Sequence, residues 1–169
     1  DAPGQPAEAH DLQTVKAKDL VALLKAEEIE FASLVECRRD DDSDVVVVEV
    51  EVEVGQLRKH RIEPLERLAI VFETQDSKYP EVLALRQDFP QVPHLNLRWA
   101  EVPRSLCLYE QSYDEVRHLW TPSKFIERIR QWLALTAKGK LHDKDQPLEP
   151  LLWGCAGQIV LPDDLLSRG

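Results

Sequence analysis

The order of periodicities along the chain predicts a mixed α/β fold of the α+β kind, a helix followed by an antiparallel sheet and then helical material. Three observations carry this. Apolar residues at Leu12, Val15, Leu20, Leu23 and Leu24 recur at helical spacing among Lys, Asp and Glu. Val46, Val48, Val50, Val52 and Val54 alternate with Glu49, Glu51 and Glu53, which is the period of a strand. Phe125, Ile126, Ile129, Trp132, Leu133 and Thr136 return to steps of three and four.

Taken in order, Asp1 to His10 is rich in Pro, Ala and Gly and has no period, so residues 1–11 read as a flexible lead-in. A first helix covers Leu12 to Glu28. Ile29 to Cys37 reads as a strand ending in the charged cluster Arg38 to Asp44, which reads as a turn. Val45 to Val54 is then the second arm of a hairpin, with one wet face. Gly55 ends that strand, and Leu68 to Phe72 supplies a third, apolar enough to be buried on both sides. From Tyr79 to Pro103 the chain carries four prolines, and the reading is a short strand near Val82 to Leu85 followed by an irregular loop. Asp114 to Leu119 suits a turn of helix. Thr121-Pro122 offers an N-cap and a first-turn proline to a second long helix, about Pro122 to Ala137, which Gly139 stops. Ile159 to Leu161 is a candidate for a last short strand. No internal repeat is visible.

Composition narrows the function. The 169 residues, 43% hydrophobic and 31% charged, suffice for one domain with one core. Net charge is 21 − 31 = −10, which argues against tracking phosphates, so no nucleic-acid partner is expected. An acidic surface can steer basic proteins or simply keep the chain in solution. The three cysteines, Cys37, Cys107 and Cys155, contain no Cys-x-x-Cys pair, so neither a disulfide framework nor a zinc site is expected, and no cofactor. No apolar run is long enough to span a membrane and no secretory leader is seen. A reducing cytoplasm is the default expectation and would keep Cys107 a thiol. The chain begins at Asp1 and has no Met, which suggests a processed form or a piece of something longer, and Leu165 to Gly169 does not read as a finished terminus.

The informative stretch is Pro93 to Leu151. It contains Pro93-His94-Leu95-Asn96, then Ser105-Leu106-Cys107-Leu108-Tyr109-Glu110, Trp120-Thr121-Pro122, and Asp145-Gln146-Pro147-Leu148. This resembles the active-site half of a ubiquitin-conjugating enzyme. In that family a His-Pro-Asn precedes a Cys-Leu-Asp-like segment, Trp-Ser/Thr-Pro opens the next helix and Asp-Asp-Pro-Leu follows it. The step from Asn96 to Cys107 here is 107 − 96 = 11 residues, and the landmarks keep the family's order. One departure is Leu95, where the family has Pro, which removes a rigid turn. The wording around Leu141-His142 and Asp145 to Pro150 looks more like bacterial relatives, which tend to occur with activating-enzyme and deubiquitinase-like domains in defence operons.

The resemblance implies a domain over about 12–152, with a four-stranded antiparallel meander and an active-site loop, and residues 153–169 as a tail or linker. It also implies a reaction. Cys107 would take a ubiquitin-like protein as a thioester from an adenylating activating enzyme and pass it to an amine on a protein target. Thiolate chemistry requires that sulfur to be accessible; the contrary reading is a small buried apolar residue, as most free cysteines are. Asn96 matches the family's Asn, credited with an oxyanion bond or with bracing the loop, and one such donor contributes about 2.7–4 kcal/mol. His94 matches a supporting His. The incoming amine needs a base, for which Glu110, Asp114 and His142 are candidates, and Asp145 matches the first Asp of the family's later motif. Cys37 and Cys155 lack such context. Lys16, Lys18 and Lys25 stand where the family receives its activating enzyme, although any single one of them better suits a solvated helix face. Trp99, Trp120, Trp132 and Trp153 read as core or edge residues. The alternatives are a catalytically silent relative that binds or bridges ubiquitin-like proteins, and an unrelated domain in which Cys107 is packed away.

Overall fold

A computed structural model describes residues 1–98 and 103–141 of the chain. Helix α1 runs over Val15–Lys25, and Thr14 caps it by accepting the Ala17 N–H at 3.3 Å. A 4-residue helix α2 occupies Tyr113–Val116, followed by a 3-10 turn at Arg117–Leu119. Helix α3 runs over Pro122–Lys138. Its ends match the sequence signals: the Thr121 hydroxyl accepts from the Lys124 N–H, Pro122 opens the helix, and Gly139 closes it at φ +63°.

The sheet is antiparallel with seven strands, where four are expected. In chain order they are β1 Gln5–Ala7, β2 Ala32–Asp40, β3 Ser43–Glu51, β4 Leu65–Glu73, β5 Glu81–Ala84, β6 Leu95–Asn96 and β7 Arg104–Leu106. Their spatial order is β1-β2-β3-β4-β5-β7-β6. Two of the additions correct specific expectations. The opening residues, read as a flexible lead-in, instead contribute β1, which pairs with β2 from Gln5↔Arg39 to Ala7↔Cys37. Arg38 holds that strand down by donating to the carbonyls of Pro3 at 3.0 Å and Gly4 at 2.6 Å. Gly4 is required there: its φ is +75° and any Cβ would press on the Arg39 carbonyl. The proline-rich stretch read as an irregular loop contains β6, which pairs with β7 just before Cys107. Two- and three-residue strands flanked by prolines are too short to show alternation.

Helices α1 and α3 cover one face of the sheet. Leu20, Val21 and Leu24 of α1 meet Ile126, Ile129 and Leu133 of α3 over Val46, Val48, Leu68, Ile70 and Val82 in one core. The β3 expectation of a wet face holds only at its far end. Val45 and Val47, on the opposite side of the strand, are also buried, in a small cluster with Ala69 and Leu83 that Ala2, Val71 and Leu85 help to close. The charged cluster expected as a turn is mostly strand. Only Asp41 and Asp42 turn, while Asp44 is fully buried and its Oδ2 accepts the N–H groups of Gln13 at 2.7 Å and Thr14 at 2.6 Å. That carboxylate, also 3.2 Å from the Arg39 Nε, fastens the start of α1 to the hairpin. A second buried carboxylate, Glu66, accepts from Arg86 at 2.8 Å and 3.2 Å and from the Glu63 N–H at 2.8 Å. Among the described residues no helix is long and apolar enough to cross a membrane. The expected strand at Ile159 to Leu161 lies outside the described residues.

Candidate functional site

The short β6–β7 pair brings together three of the residues singled out in the sequence. Register sets Leu95 opposite Leu106 and Asn96 opposite Ser105, and the Cys107 N–H donates to the His94 carbonyl at 2.9 Å. His94 turns the chain into β6 with φ +61°, in the left-handed region. The departure at position 95 has a physical counterpart here. A proline following His94 would push it toward extended backbone, whereas Leu95 allows the turn and packs its side chain against the core.

Asn96 is 9% exposed. Its Nδ2 donates to the Ser105 hydroxyl at 3.0 Å and to the Leu106 carbonyl at 3.1 Å, so both amide hydrogens are engaged within the strand pair. The buried Oδ1 has no protein partner. A pocket of about 20 Å³ lies between Asn96, Tyr79 and Cys107, with room for about one water.

Cys107 follows β7 and is partly exposed, unlike Cys37, which is buried in the sheet. The sulfur borders an open cleft of about 300 Å³ whose walls include His94, Glu110, Arg128, Trp132 and Leu141. Its Sγ lies 3.8 Å from the Tyr109 carbonyl. Burial pushes the Cys107 thiol above its ordinary pKa, the Tyr109 backbone opposes this, and the Glu110 carboxylate reinforces it. The resting group is therefore a thiol, and any nucleophilic use of it requires that a thiolate be generated.

Sequence reading missed the residues that hold the chain beyond the sulfur. The Tyr109 ring stacks on Tyr79, with centroids 4.1 Å apart and 4° between planes, and the Arg128 guanidinium lies 4.6 Å from the same ring. The Tyr79 hydroxyl donates to the carbonyls of Gln111 and Ser112, each at 3.1 Å, and Arg128 donates to that of Leu108 at 3.3 Å. Burial lifts the Tyr109 phenol to about 12, against the pull of Arg128, so it stays neutral. Tyr79 meets Tyr113 edge-on at 5.0 Å, and the Tyr113 hydroxyl bonds to Asp76 at 2.6 Å, which Lys16 of α1 also contacts at 2.5 Å. Lys16 bonds the same hydroxyl. Aromatic residues far apart in sequence, on elements that only the fold juxtaposes, leave no local signal.

Glu110 lines the cleft, while Asp114 of α2 pairs with Arg117 of the 3-10 turn and is not among the cleft residues. His142 and Asp145 lie outside the described residues, as do Cys155, Trp99 and Trp153. Among the described residues no group of three or more His, Cys, Asp or Glu comes close enough to hold a metal ion.

A model of prokaryotic E2 family A matches residues 28–166, most of the chain and the whole of the β6–β7 site. The chain belongs to that family. A search of curated proteins finds no match. Membership of prokaryotic E2 family A makes this a bacterial ubiquitin-conjugating-like protein, of a conjugating-transferase kind, and implies dealings with a ubiquitin-like protein and an activating enzyme in general. The resemblance read from Pro93 to Leu151 thus points to the family that the match over residues 28–166 identifies.

Proposed function

We propose that this E2-like domain, which takes in β1 and runs to about Leu152 with 153–169 as a tail or linker, carries a ubiquitin-like protein as a thioester on Cys107. The observation that carries the reading is the half-exposed sulfur at the wall of an open cleft, with the family's His and Asn positions folded beside it. In loading, the Cys107 sulfur attacks the thioester carbonyl on the activating enzyme. A new C–S bond forms, the old one breaks, and the departing thiolate takes up the proton that Cys107 gives away. In discharge an amine nitrogen attacks, the C–N bond forms, the C–S bond breaks, and the amine's proton returns to the sulfur by way of a base.

For Asn96 the bonding favours the role of brace. To meet an oxyanion it would have to release Ser105 or Leu106, at a cost of about 1–3 kcal/mol for an unpaired buried group. His94 supports the turn through its carbonyl. Leu141 lines the cleft, which supports the next residue, His142, as a candidate base, with Asp145 close behind it in sequence and Glu110 as the acidic alternative already in the cleft wall. Work in a reducing cytoplasm, within an antiphage defence system, on a protein target, completes the reading.

A silent binding module is the competing reading, and the partial burial of the Cys107 sulfur, which disfavours its thiolate, is the observation in its favour. The two part in one experiment. The protein is incubated with its activating enzyme, ATP and ubiquitin-like protein and run on a non-reducing gel. Thioester carriage requires an adduct that dithiothreitol removes and Cys107→Ala abolishes; no adduct with the true partners leaves the binding module. Given an adduct, His142→Ala should slow discharge to lysine and spare loading, and unchanged discharge removes His142 from the mechanism.

A further inference from the structure

Arg128 projects from α3 to the segment that follows the cysteine. It donates to the Leu108 carbonyl at 3.3 Å and sits 4.6 Å from the Tyr109 ring centroid, so a single guanidinium holds two successive residues. The Tyr109 carbonyl is in turn bonded by the Cys107 sulfur, at 3.8 Å. Arg128 also borders both the cysteine cleft and the neighbouring cavity of about 420 Å³ toward Trp120. We propose that Arg128 is a positioning residue for Cys107, gripping Leu108 and Tyr109 and thereby fixing the peptide against which the sulfur rests and the line along which it meets a carbonyl carbon.

Arginine suits this task because its planar group lies over a ring and donates in its own plane at the same time, which an ammonium does less well. Tyr79 supports the same ring through a stack and takes the carbonyls of Gln111 and Ser112 with its hydroxyl. With Arg128 gone, the Leu108 carbonyl loses its donor, Tyr109 keeps the stack and both keep their packing against the core, and the sulfur gains water. Arg130, two residues on, serves as the control. It pairs with Glu53 at 3.3 Å and lies over Phe31, away from the cysteine.

The consequence for acyl transfer rests on the thioester reading, but the test examines the thiol directly. Cys107 alkylation by iodoacetamide is followed across pH by peptide mass in the parent chain, Arg128→Ala, Arg128→Lys and Arg130→Ala, alongside thermal melts and thioester loading. Arg128→Ala should raise the rate of Cys107 alkylation, as the sulfur becomes more accessible, while loading slows by on the order of tenfold from lost alignment. Arg128→Lys should recover part of both, and Arg130→Ala should match the parent. A parental alkylation profile in Arg128→Ala overturns the proposal, as does a loading defect that Arg130→Ala shares. Should Arg128→Ala lose its cooperative melt, Arg128→Gln, which keeps a donor without the charge, decides by the same profile. A parent that alkylates normally yet forms no thioester defeats the carrier reading, while the alkylation profiles still decide whether Arg128 positions the sulfur.

Discussion

The two flanks of Cys107 are fixed by different physics. Upstream, the chain is locked by a strand pair whose one buried amide side chain, that of Asn96, engages both its hydrogens inside it. Downstream there is no strand. Leu108 to Ser112 are held at three carbonyls by side chains arriving from elsewhere, Arg128 and Tyr79, with a ring stack between them. Buried donors that are already bonded permit one arrangement, because any other leaves an unpaired N–H out of water. Stacked rings and an exposed guanidinium set the position of the segment without locking it, since a small shift strands no buried polar group. A rigid shoulder before the sulfur and a compliant one after it suit the proposed carrier role, in which the sulfur would sit at a defined place yet admit a bulky acyl group.

The largest effect should come from the support common to both flanks. Ile129→Ala, at a fully buried position of α3, is expected to cost about 2–5 kcal/mol in urea unfolding and to impair both sides of the site together. Loss confined to one flank would mean that α3 does not brace them jointly. Next, Asn96→Ala should destabilise by about 1–3 kcal/mol, because the Leu106 carbonyl loses its donor in a buried setting. A cost near zero would contradict the rigid character claimed for the upstream flank. On the compliant side, Tyr79→Phe keeps the ring and removes only the hydroxyl, so about 0.5–1.5 kcal/mol is expected, with faster amide exchange concentrated after Cys107. Exchange that rises equally in β6 and β7 would erase the distinction between the flanks.

The smallest effect concerns protons. The folded Cys107 pKa lies above its ordinary value of 9.0, so the unfolded chain loses this proton first as pH rises. The stability it lends is fully present below about 9 and is lost as pH climbs from there through the raised value. Glu110→Gln removes one of the groups that raise it, and the Cys107 alkylation curve should shift slightly to lower pH. A shift to higher pH would mean that Glu110 does not act on the sulfur through its charge.

Much of this was legible in the sequence for identifiable reasons. Helix α3 announced itself by Thr121, Pro122 and Gly139, since capping chemistry is local. Strands β3 and β4 showed through valine alternation and a continuous apolar run. Cys107 stood out from Cys37 by its neighbours in the chain, and in the fold one is half open and the other buried. The misses share a cause. Strand β1 is held by the Arg38 side chain and the backbone freedom of Gly4, and β6 by a partner about ten positions away, so neither has a period of its own. Asp44 looked like one more acid in an acidic turn, because its use lies in the amides of Gln13 and Thr14, distant in sequence. Tyr79, Tyr109 and Arg128 likewise acquire meaning only once the residues before β5, the cysteine segment and α3 have been folded together.

The three residues of β1 have a consequence out of proportion to their length. They occupy part of the outer rim of β2, a nine-residue strand whose N–H and C=O groups would otherwise stand open to any passing extended chain. Clipping the protein just ahead of α1 would bare that rim, and the shortened molecules would be prone to join rim to rim into ribbons, with the cysteine itself untouched.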